Sequence, residues 1–168
     1  MNSQSHKEQA DQKGPVKVAL VTCSDTRRSD DDANGIFLKQ QIESQGDIVT
    51  EMCIIPDEPS VVSKKLEALS RSQAQIIIFN GGTGISPRDN TYDALVAKMD
   101  KVLPGFGEIF RMLSYEQVGA AAILSRAVAG VYNKKVIISI PGSPKAVHLA
   151  WEKIISPELK HLAWEVAR

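Results

Sequence analysis

Short apolar segments alternate with polar loops along this chain. Three segments rich in β-branched residues predict buried strands at 16–22, 47–55 and 75–79. The third is nearly continuous in isoleucine, as is typical of a parallel strand covered by helices on both faces. Two later segments, 127–131 and 135–140, predict either a hairpin or two neighbouring strands, and 135–140 has the stronger strand pattern.

Segments with the apolar spacing of an amphipathic helix follow these strands. Val62, Leu66 and Leu69, for example, lie on one face of a predicted helix. Further helices are predicted by similar patterns: one carrying Leu38 and Ile42, then 91–99, 104 to about 115, 147–155, and one that starts at Ser156-Pro157. Strands that alternate with helices over the length of one domain predict an α/β fold, a three-layer sandwich with a mostly parallel sheet between helices.

Length and composition add limits to this picture. The chain has 168 residues, and its first 14 contain hardly any apolar side chains, which predicts a disordered tail at 1–14 and a single domain at 15–168. Lys and Arg number 20, as do Asp and Glu, so no net positive charge favours a nucleic acid or an anionic membrane. The apolar runs are also much shorter than the ~20 residues of a membrane span.

Cysteine and histidine give no sign of a metal site. Cys23 and Cys53 lie in strand-like segments without CxxC spacing, which favours reduced core thiols and a cytoplasmic location. His6, His148 and His161 lack the spacing of metal ligands. We therefore assign no histidine to the chemistry.

Polar loops leave the carboxyl ends of the predicted strands at 24–35, 56–59, 80–90 and 141–144. In open α/β sheets ligands bind outside the carboxyl ends of the strands. A site, if present, is therefore expected where these four loops meet.

The loop FNGGTGISPRDNTYDAL, residues 79–95, is rich in glycine. Glycines adopt positive φ angles and let main-chain N–H groups approach an anion, while Asp89, Asn90 or Thr91 could cap the following helix. No Lys-Ser/Thr follows, so the loop is not a P-loop, and Pro87 replaces the third glycine of a dinucleotide fingerprint. A phosphate-binding loop and a simple tight turn are both consistent with this sequence.

Two carboxylate-containing turns have both structural and functional interpretations. Arg88-Asp89 could be a surface ion pair with a helix cap, or a phosphate clamp beside a magnesium ligand. Asp57-Glu58 could be a turn between two prolines. If their strands are neighbours, Asp57 and Asp89 face one crevice, as suits Mg²⁺ bound to a nucleoside triphosphate. Residues 24–26 could be a turn or part of that crevice, and the acidic run 30–32 is expected to be solvated.

Four motifs occur in one order: GGTGISPRDNT at 81–91, FGEIFRMLSYEQVG at 106–119, LSRAVAG at 124–130 and SIPGSPKAV at 139–147. Together they strongly resemble the MoaB/MogA family of molybdenum cofactor biosynthesis proteins, over about residues 16–159. The FGEIFRMLSYE and RAVAG sequences look more like the MoaB branch.

The resemblance implies a MogA/MoaB-like fold and molybdopterin adenylyltransfer. In that reaction the terminal phosphate of molybdopterin attacks the α-phosphorus of ATP in the presence of Mg²⁺, giving adenylyl-molybdopterin and pyrophosphate. The catalytic and metal-binding aspartates of the family match Asp57 and Asp89. The implied nucleotide- and pterin-binding residues are Ser24, Asp25, Gly81, Gly82, Thr83, Gly84, Arg88, Thr91, Ser125, Arg126, Pro141, Gly142, Ser143 and Pro144.

Some members of the MoaB branch lack these aspartates, whereas both positions are Asp here, which favours an active enzyme. Two alternatives stay open: a carrier that binds molybdopterin without turnover, and a CinA-like nucleotide pyrophosphatase, against which RDNT and RAVAG argue. The resemblance also implies a homotrimer or a hexamer of two trimers. Other proteins of molybdenum cofactor biosynthesis are candidate partners.

Overall fold

A computed structural model of the protein describes residues 13–26 and 31–168. The predicted tail therefore lies almost entirely outside the described residues. The strands are β1 Lys17–Cys23, β2 Ile48–Ile55, β3 Ile76–Asn80, β4 Lys101–Leu103, β5 Val128–Tyr132 and β6 Lys135–Ile140. The α-helices are α1 Ala33–Ser44, α2 Pro59–Ser70, α3 Thr91–Val96, α4 Pro104–Val118, α5 Pro144–Ala150 and α6 Ser156–Ala167. No described helix is long and apolar enough to cross a membrane.

The strands form one sheet in the order β2-β1-β3-β6-β5-β4. Strands β2, β1, β3 and β6 are parallel, and β5 is antiparallel to both of its neighbours. This arrangement confirms the predicted mostly parallel α/β sheet. Because β2 and β3 lie on opposite sides of β1, the chain reverses its direction across the sheet beside β1, where crevices form in such folds.

Helices cover both faces of the sheet, as predicted. Along β3, Ile76 and Ile78 join the core beneath α1, α5 and α6, whereas Ile77 and Phe79 join the core beneath α2 and α3. All four side chains are fully buried. The isoleucine run thus serves two cores through the alternation of side chains along a strand.

The hairpin alternative is correct for the two late strands. β5 and β6 pair directly, and the turn residues Asn133 and Lys134 both have positive φ angles, 47° and 58°. Two positive φ values are typical of a tight hairpin turn, whose twist matches that of the strands.

Edge strand β4 was not predicted, since three exposed residues carry too little pattern. The helix predicted at 91–99 ends at Val96, and Asp100 N–H then donates to the carbonyl oxygen of Val131 at 2.8 Å, which draws the chain onto β5. The small-residue segment at Gly119–Leu124 forms a 3-10 helix, and α5 continues through a π-helical turn, Trp151–Ile155, into α6.

Both cysteines carry free thiols, as predicted. Cys23 is buried, and burial raises its pKa from 9.0 to about 12. Cys53 is half-buried, and burial raises its pKa as well. Because the thiolate is the reactive form, both groups are expected to be poor nucleophiles at neutral pH.

We expect Cys23 to react with iodoacetamide at pH 8 at least about 10³-fold more slowly in the folded protein than in the denatured chain, because three pKa units remove that much thiolate. Mass spectrometry of timed samples measures the modification at each cysteine. Denatured protein under the same conditions is the control. Folded Cys23 that reacts as fast as denatured Cys23 would contradict the buried, protonated state.

Candidate functional site

The glycine loop, residues 80–90, passes between the carboxyl ends of β1 and β6. Gly81 N–H donates to the carbonyl oxygen of Ile140 at 2.9 Å, and a β-carbon at Gly81 would overlap the carbonyl oxygen of Cys23. A β-carbon at Gly142 would lie 3.3 Å from the Cα of Gly81. The structure thus brings the glycine loop against the loop 141–144 and against the end of β1, at the reversal point of the sheet.

Two glycines of this loop have backbone conformations that other residues rarely adopt. Gly81 and Gly82 have φ angles of 104° and 65°. A β-carbon at Gly82 would also overlap Oδ2 of Asp57 and the hydroxyl of Thr91, and one at Gly84 would lie 2.7 Å from Oδ2 of Asp89. Both predicted catalytic aspartates therefore place a carboxylate oxygen against the glycine loop.

Asp57 follows β2, which is not a neighbour of β3, since β1 lies between the two strands. The prediction that Asp57 and Asp89 share a crevice assumed that their strands are neighbours, and this assumption is wrong. The Asp57 side chain nevertheless reaches the loop that follows β3. Oδ1 of Asp57 accepts hydrogen bonds from Thr91 Oγ1 at 2.8 Å and from Asn90 N–H at 3.2 Å. The side chain is nearly buried, and these bonds hold the start of α3 against the turn after β2.

Asp89 has a different environment. Its Oδ2 accepts a hydrogen bond from Ser86 N–H at 2.8 Å, which closes a turn within the loop. Asn90 precedes α3, and its side chain makes no capping bond to that helix. Its amide instead donates to the carbonyl oxygen of Asp57, in the turn after β2, and to that of Arg88, in its own loop, both at 3.1 Å.

Arg88 pairs with Asp25 rather than with its neighbour Asp89. The guanidinium is largely exposed, and its hydrogen bond to Asp25 is the main cause of the lowered pKa of that carboxyl. Oδ1 of Asp25 also accepts from Asp57 N–H at 3.1 Å. Ser24 N–H donates to the carbonyl oxygen of Ile55 at 2.9 Å. The predicted residues after β1 therefore connect the turn after β2 to the glycine loop.

The PGSP loop, residues 141–144, lies beside the glycine loop and starts α5. Ser143 Oγ accepts from Ala146 N–H at 3.3 Å, which caps the helix, and Pro144 occupies its first turn. The carbonyl oxygen of Gly142 accepts from the side-chain amide of Asn34 at 2.8 Å. Sequence reasoning missed Asn34, which ties α1 to this loop.

Ser125 and Arg126 approach the glycine loop from the chain before β5. Arg126 N–H donates to the carbonyl oxygen of Thr83 at 3.2 Å, and its guanidinium contacts the same loop. Ser125 Oγ accepts from Ala127 N–H at 3.4 Å, and the carbonyl oxygen of Ser125 accepts from Arg111 Nη1 at 3.3 Å. Arg126 therefore contacts the glycine loop directly, whereas the contacts of Ser125 are to Ala127 and Arg111.

A buried polar network lies beneath these loops. Thr22 Oγ1 donates to Oδ2 of Asp32 at 2.7 Å and accepts from Asn80 Nδ2 at 2.8 Å, while Asn34 Nδ2 lies 3.4 Å from Oδ1 of Asn80. All four side chains are at most 2% exposed. The network fastens α1 to the ends of β1 and β3.

The prediction that the acidic run 30–32 is solvated is wrong for Asp32. It is completely buried and caps α1 by accepting a hydrogen bond from Gly35 N–H at 3.1 Å. Asp31 beside it is exposed, as predicted, and residue 30 lies outside the described part of the chain. An Asp just before a helical segment is an N-cap signal that could have identified the role of Asp32.

The described residues contain no group of three or more His, Cys, Asp or Glu side chains able to hold a metal ion. Mg²⁺ bound with a nucleotide needs only one or two protein carboxylates, because phosphates and water supply the other ligands. Asp57 and Asp89, each with an oxygen against the glycine loop, fit that requirement. A 330 Å³ cavity lined by Val16, Gln75 and Trp164 lies at the opposite, amino end of the parallel strands and is separate from this site.

The fold and the site together define a three-layer α/β domain with a glycine-loop crevice at the carboxyl ends of its parallel strands. Residues 19–161 match the family model described as "Probable molybdopterin binding domain". The chain is 45% identical to molybdenum cofactor biosynthesis protein B of Halalkalibacterium halodurans, covering 100% of this chain and 99% of the relative. It is 38% identical to the protein of that name from Escherichia coli K12, covering 86% of each chain.

Solved structures agree with the sequence comparisons. A crystal structure of a molybdenum cofactor biosynthesis protein B matches with a TM-score of 0.89 and 41% identity, covering 92% of this chain and 97% of the other. The tungsten cofactor synthesizing protein MoaB from Pyrococcus furiosus matches with a TM-score of 0.82 and 33% identity, over 92% and 98% of the two chains. The chain therefore belongs to the MoaB/MogA family of molybdenum cofactor biosynthesis proteins.

Replacing Asp32 with Ala is expected to lower the free energy of unfolding by about 2–4 kcal/mol, because it removes a helix cap and leaves the buried Thr22 hydroxyl without its acceptor. Chemical denaturation monitored by circular dichroism measures the change. Asp31→Ala is the matched control at an exposed neighbouring carboxylate and is expected to change stability by less than about 0.5 kcal/mol. Equal effects of the two substitutions would contradict the buried network.

Proposed function

We propose that this protein adenylylates molybdopterin at the crevice around the glycine loop. The membership of the chain in the MoaB/MogA family supports a role in molybdenum cofactor biosynthesis. In the proposed reaction, an oxygen of the terminal phosphate of molybdopterin forms a bond to the α-phosphorus of ATP. The bond from that phosphorus to the oxygen bridging the β-phosphate breaks, and pyrophosphate leaves with the electron pair.

The observation that carries this proposal is the position of two carboxylates on one glycine loop. Asp57 approaches Gly82 and Asp89 approaches Gly84. Backbone N–H groups of a glycine loop can bind phosphate, and carboxylates beside it can bind the divalent cation of a nucleotide. Transfer of a phosphorus group between two oxygens needs mainly positioning and charge stabilisation from a protein. In this crevice, the loop N–H groups would supply the positioning, and the two carboxylates with their cation would supply the charge stabilisation.

Asp57 and Asp89 would hold the Mg²⁺ that accompanies ATP. When bound there, the cation would neutralise charge on the phosphates and on departing pyrophosphate. The protein itself would fix the nucleotide through loop N–H groups and would present Arg88 to a phosphate. Arg88 suits that role because its guanidinium is largely exposed and its present partner, Asp25, lies in an adjacent loop.

A carrier that binds molybdopterin without turnover is the second candidate. The hydrogen bonds of Asp57 favour it, because Oδ1 accepts from Asn90 and Thr91 and so has a structural task independent of catalysis. If that task is the only one, the crevice would bind a pterin phosphate without transferring an adenylyl group.

Pyrophosphate release from ATP and Mg²⁺, with molybdopterin supplied, tests the reaction directly. We expect pterin-dependent release by the wild type and a loss of at least about 10²-fold in Asp57→Asn and in Asp89→Asn, since each change removes a charge beside the phosphates. Glu58→Gln, at the exposed neighbour of Asp57, is the matched control and should retain near wild-type turnover.

Each other outcome has a definite meaning. Absence of pyrophosphate release by the wild type, with molybdopterin still bound in equilibrium dialysis, would reject the adenylyltransferase and leave the carrier. Full turnover in either aspartate variant would reject the assigned role of that residue while keeping the reaction.

We also propose that copies of this chain associate through α4 and the following 3-10 helix. Six large apolar side chains on this surface are 47–77% exposed: Ile109, Met112, Tyr115, Val118, Ile123 and Leu124. They adjoin a 510 Å³ cavity that Met112, Tyr115 and Ile123 help to line. Contiguous apolar surfaces of this kind commonly mark protein interfaces. A homotrimer, or a hexamer of two trimers, would cover it.

Met112→Glu combined with Ile123→Glu is expected to convert an oligomer into a monomer, because both substitutions would bury charge in the interface. Sedimentation equilibrium gives the mass of each species. Gln117→Glu, at an exposed polar position on the same helix, is the control and should leave the oligomer intact. A monomeric wild type at micromolar concentration would refute the proposed association.

A further inference from the structure

The side chain of Arg126 donates three hydrogen bonds to carbonyl oxygens of the glycine loop. Its Nε donates to the carbonyl oxygens of Gly84 at 2.9 Å and Thr83 at 3.3 Å, and Nη2 donates to that of Asp89 at 3.0 Å. Nη1 donates to both carboxylate oxygens of Asp93, at 2.8 and 2.9 Å. The guanidinium also lies 4.7 Å from the centre of the Tyr92 ring. All three guanidinium nitrogens are therefore engaged by the protein itself.

These contacts fix the direction of the loop peptides. In a planar trans peptide, the C=O group and the N–H group of the next residue point in opposite directions. When Arg126 draws the carbonyl oxygens of Thr83, Gly84 and Asp89 to one side, the N–H groups of Gly84, Ile85 and Asn90 therefore turn to the other.

The position of Asn90 shows this relation directly. The carbonyl oxygen of Asp89 accepts from Arg126, and the N–H of the same peptide unit donates to Oδ1 of Asp57. Within residues 13–26 and 31–168, no backbone carbonyl accepts a hydrogen bond from the N–H group of Gly84 or Ile85. Two N–H groups thus point away from Arg126 and are available to an anion.

We propose that Arg126 is a positioning residue that orients the N–H groups of the glycine loop toward phosphate and does not bind phosphate itself. This inference rests on the proposed function for its anion, although the loop geometry can be measured without any ligand. It differs from the sequence-based assignment, which placed Arg126 in the nucleotide and pterin pocket. An arginine fork suits the task, because one rigid planar group can bond several acceptors at once.

Amide NMR of the full-length, ligand-free protein tests the positioning role. In Arg126→Met we expect the signals of Gly84, Ile85 and Asn90 to shift and the hydrogen exchange of the Asn90 amide to accelerate at least about 10-fold, because its carbonyl-side anchor is gone. Arg126→Lys should give similar changes, since one ammonium group cannot reproduce the planar fork. Arg71→Met, at an exposed arginine at the end of α2, is the matched control and should leave these signals in place.

Binding of MgATP, measured by calorimetry, separates positioning from direct contact. Positioning predicts affinity losses of at least about 10-fold in both Arg126→Met and Arg126→Lys, because the charge retained by lysine does not orient the loop. Asp93→Asn retains the carbonyl contacts and should give smaller shifts of the same amides, which keeps the test decisive if Arg126→Met does not fold.

Two results would overturn the inference. Unchanged loop amides in ligand-free Arg126→Lys and Asp93→Asn would show that Arg126 does not orient the loop. Near wild-type affinity for MgATP in Arg126→Lys would show that only the positive charge matters. If the wild type fails to bind MgATP, the nucleotide part of the proposed function fails, whereas the ligand-free amide signals still decide the role of Arg126.

Discussion

The close approach of Gly81 to the end of β1 is the constraint on which the site depends. With the carbonyl oxygen of Cys23 where a β-carbon at Gly81 would be, only glycine lets the chain leave β3 between β1 and β6. A side chain there would push the loop outward and separate it from Asp57 and from the PGSP loop. The positive φ angles of Gly81 and Gly82 then turn the chain sharply back toward α3. The backbone conformation of Gly81 and Gly82 therefore sets the path of the loop that forms the crevice.

Two side chains of opposite charge then hold the loop from opposite directions. Asp57 accepts hydrogen bonds from the N–H and hydroxyl groups at the start of α3, while Arg126 donates to carbonyl oxygens along the loop. The Asp57 carboxylate therefore binds a backbone donor of the loop, and the Arg126 guanidinium binds backbone acceptors of the same loop. Beneath them, buried hydrogen bonds of Thr22 with Asp32 and Asn80 link β1, β3 and the start of α1.

The sequence predicted most of the sheet because buried parallel strands carry a strong local signal, of which the isoleucine run at 76–78 is the clearest case. It missed β4, whose three residues owe their conformation to β5. The loops of the site were found from glycine, proline and carboxylate signals at strand ends. The partners of Arg88 and Arg126 could not be found this way, because they depend on which loops meet across the sheet. Asp32 was misjudged because neighbouring aspartates in one run can face solvent and core alternately.

The two aspartates that look equivalent in the sequence differ physically, and this difference limits how the crevice can respond to a ligand. Asp57 is nearly buried and bonded to the start of α3, so moving it would break hydrogen bonds that define the loop. Asp89 is more exposed, and the hydrogen bond that its carboxylate accepts from Ser86 N–H lies within its own turn. A cation or phosphate can therefore rearrange Asp89 at smaller cost than Asp57. Under the proposed function, Asp57 would be the fixed side of the crevice and Asp89 the adaptable side, so the loop would keep its shape while a substrate binds.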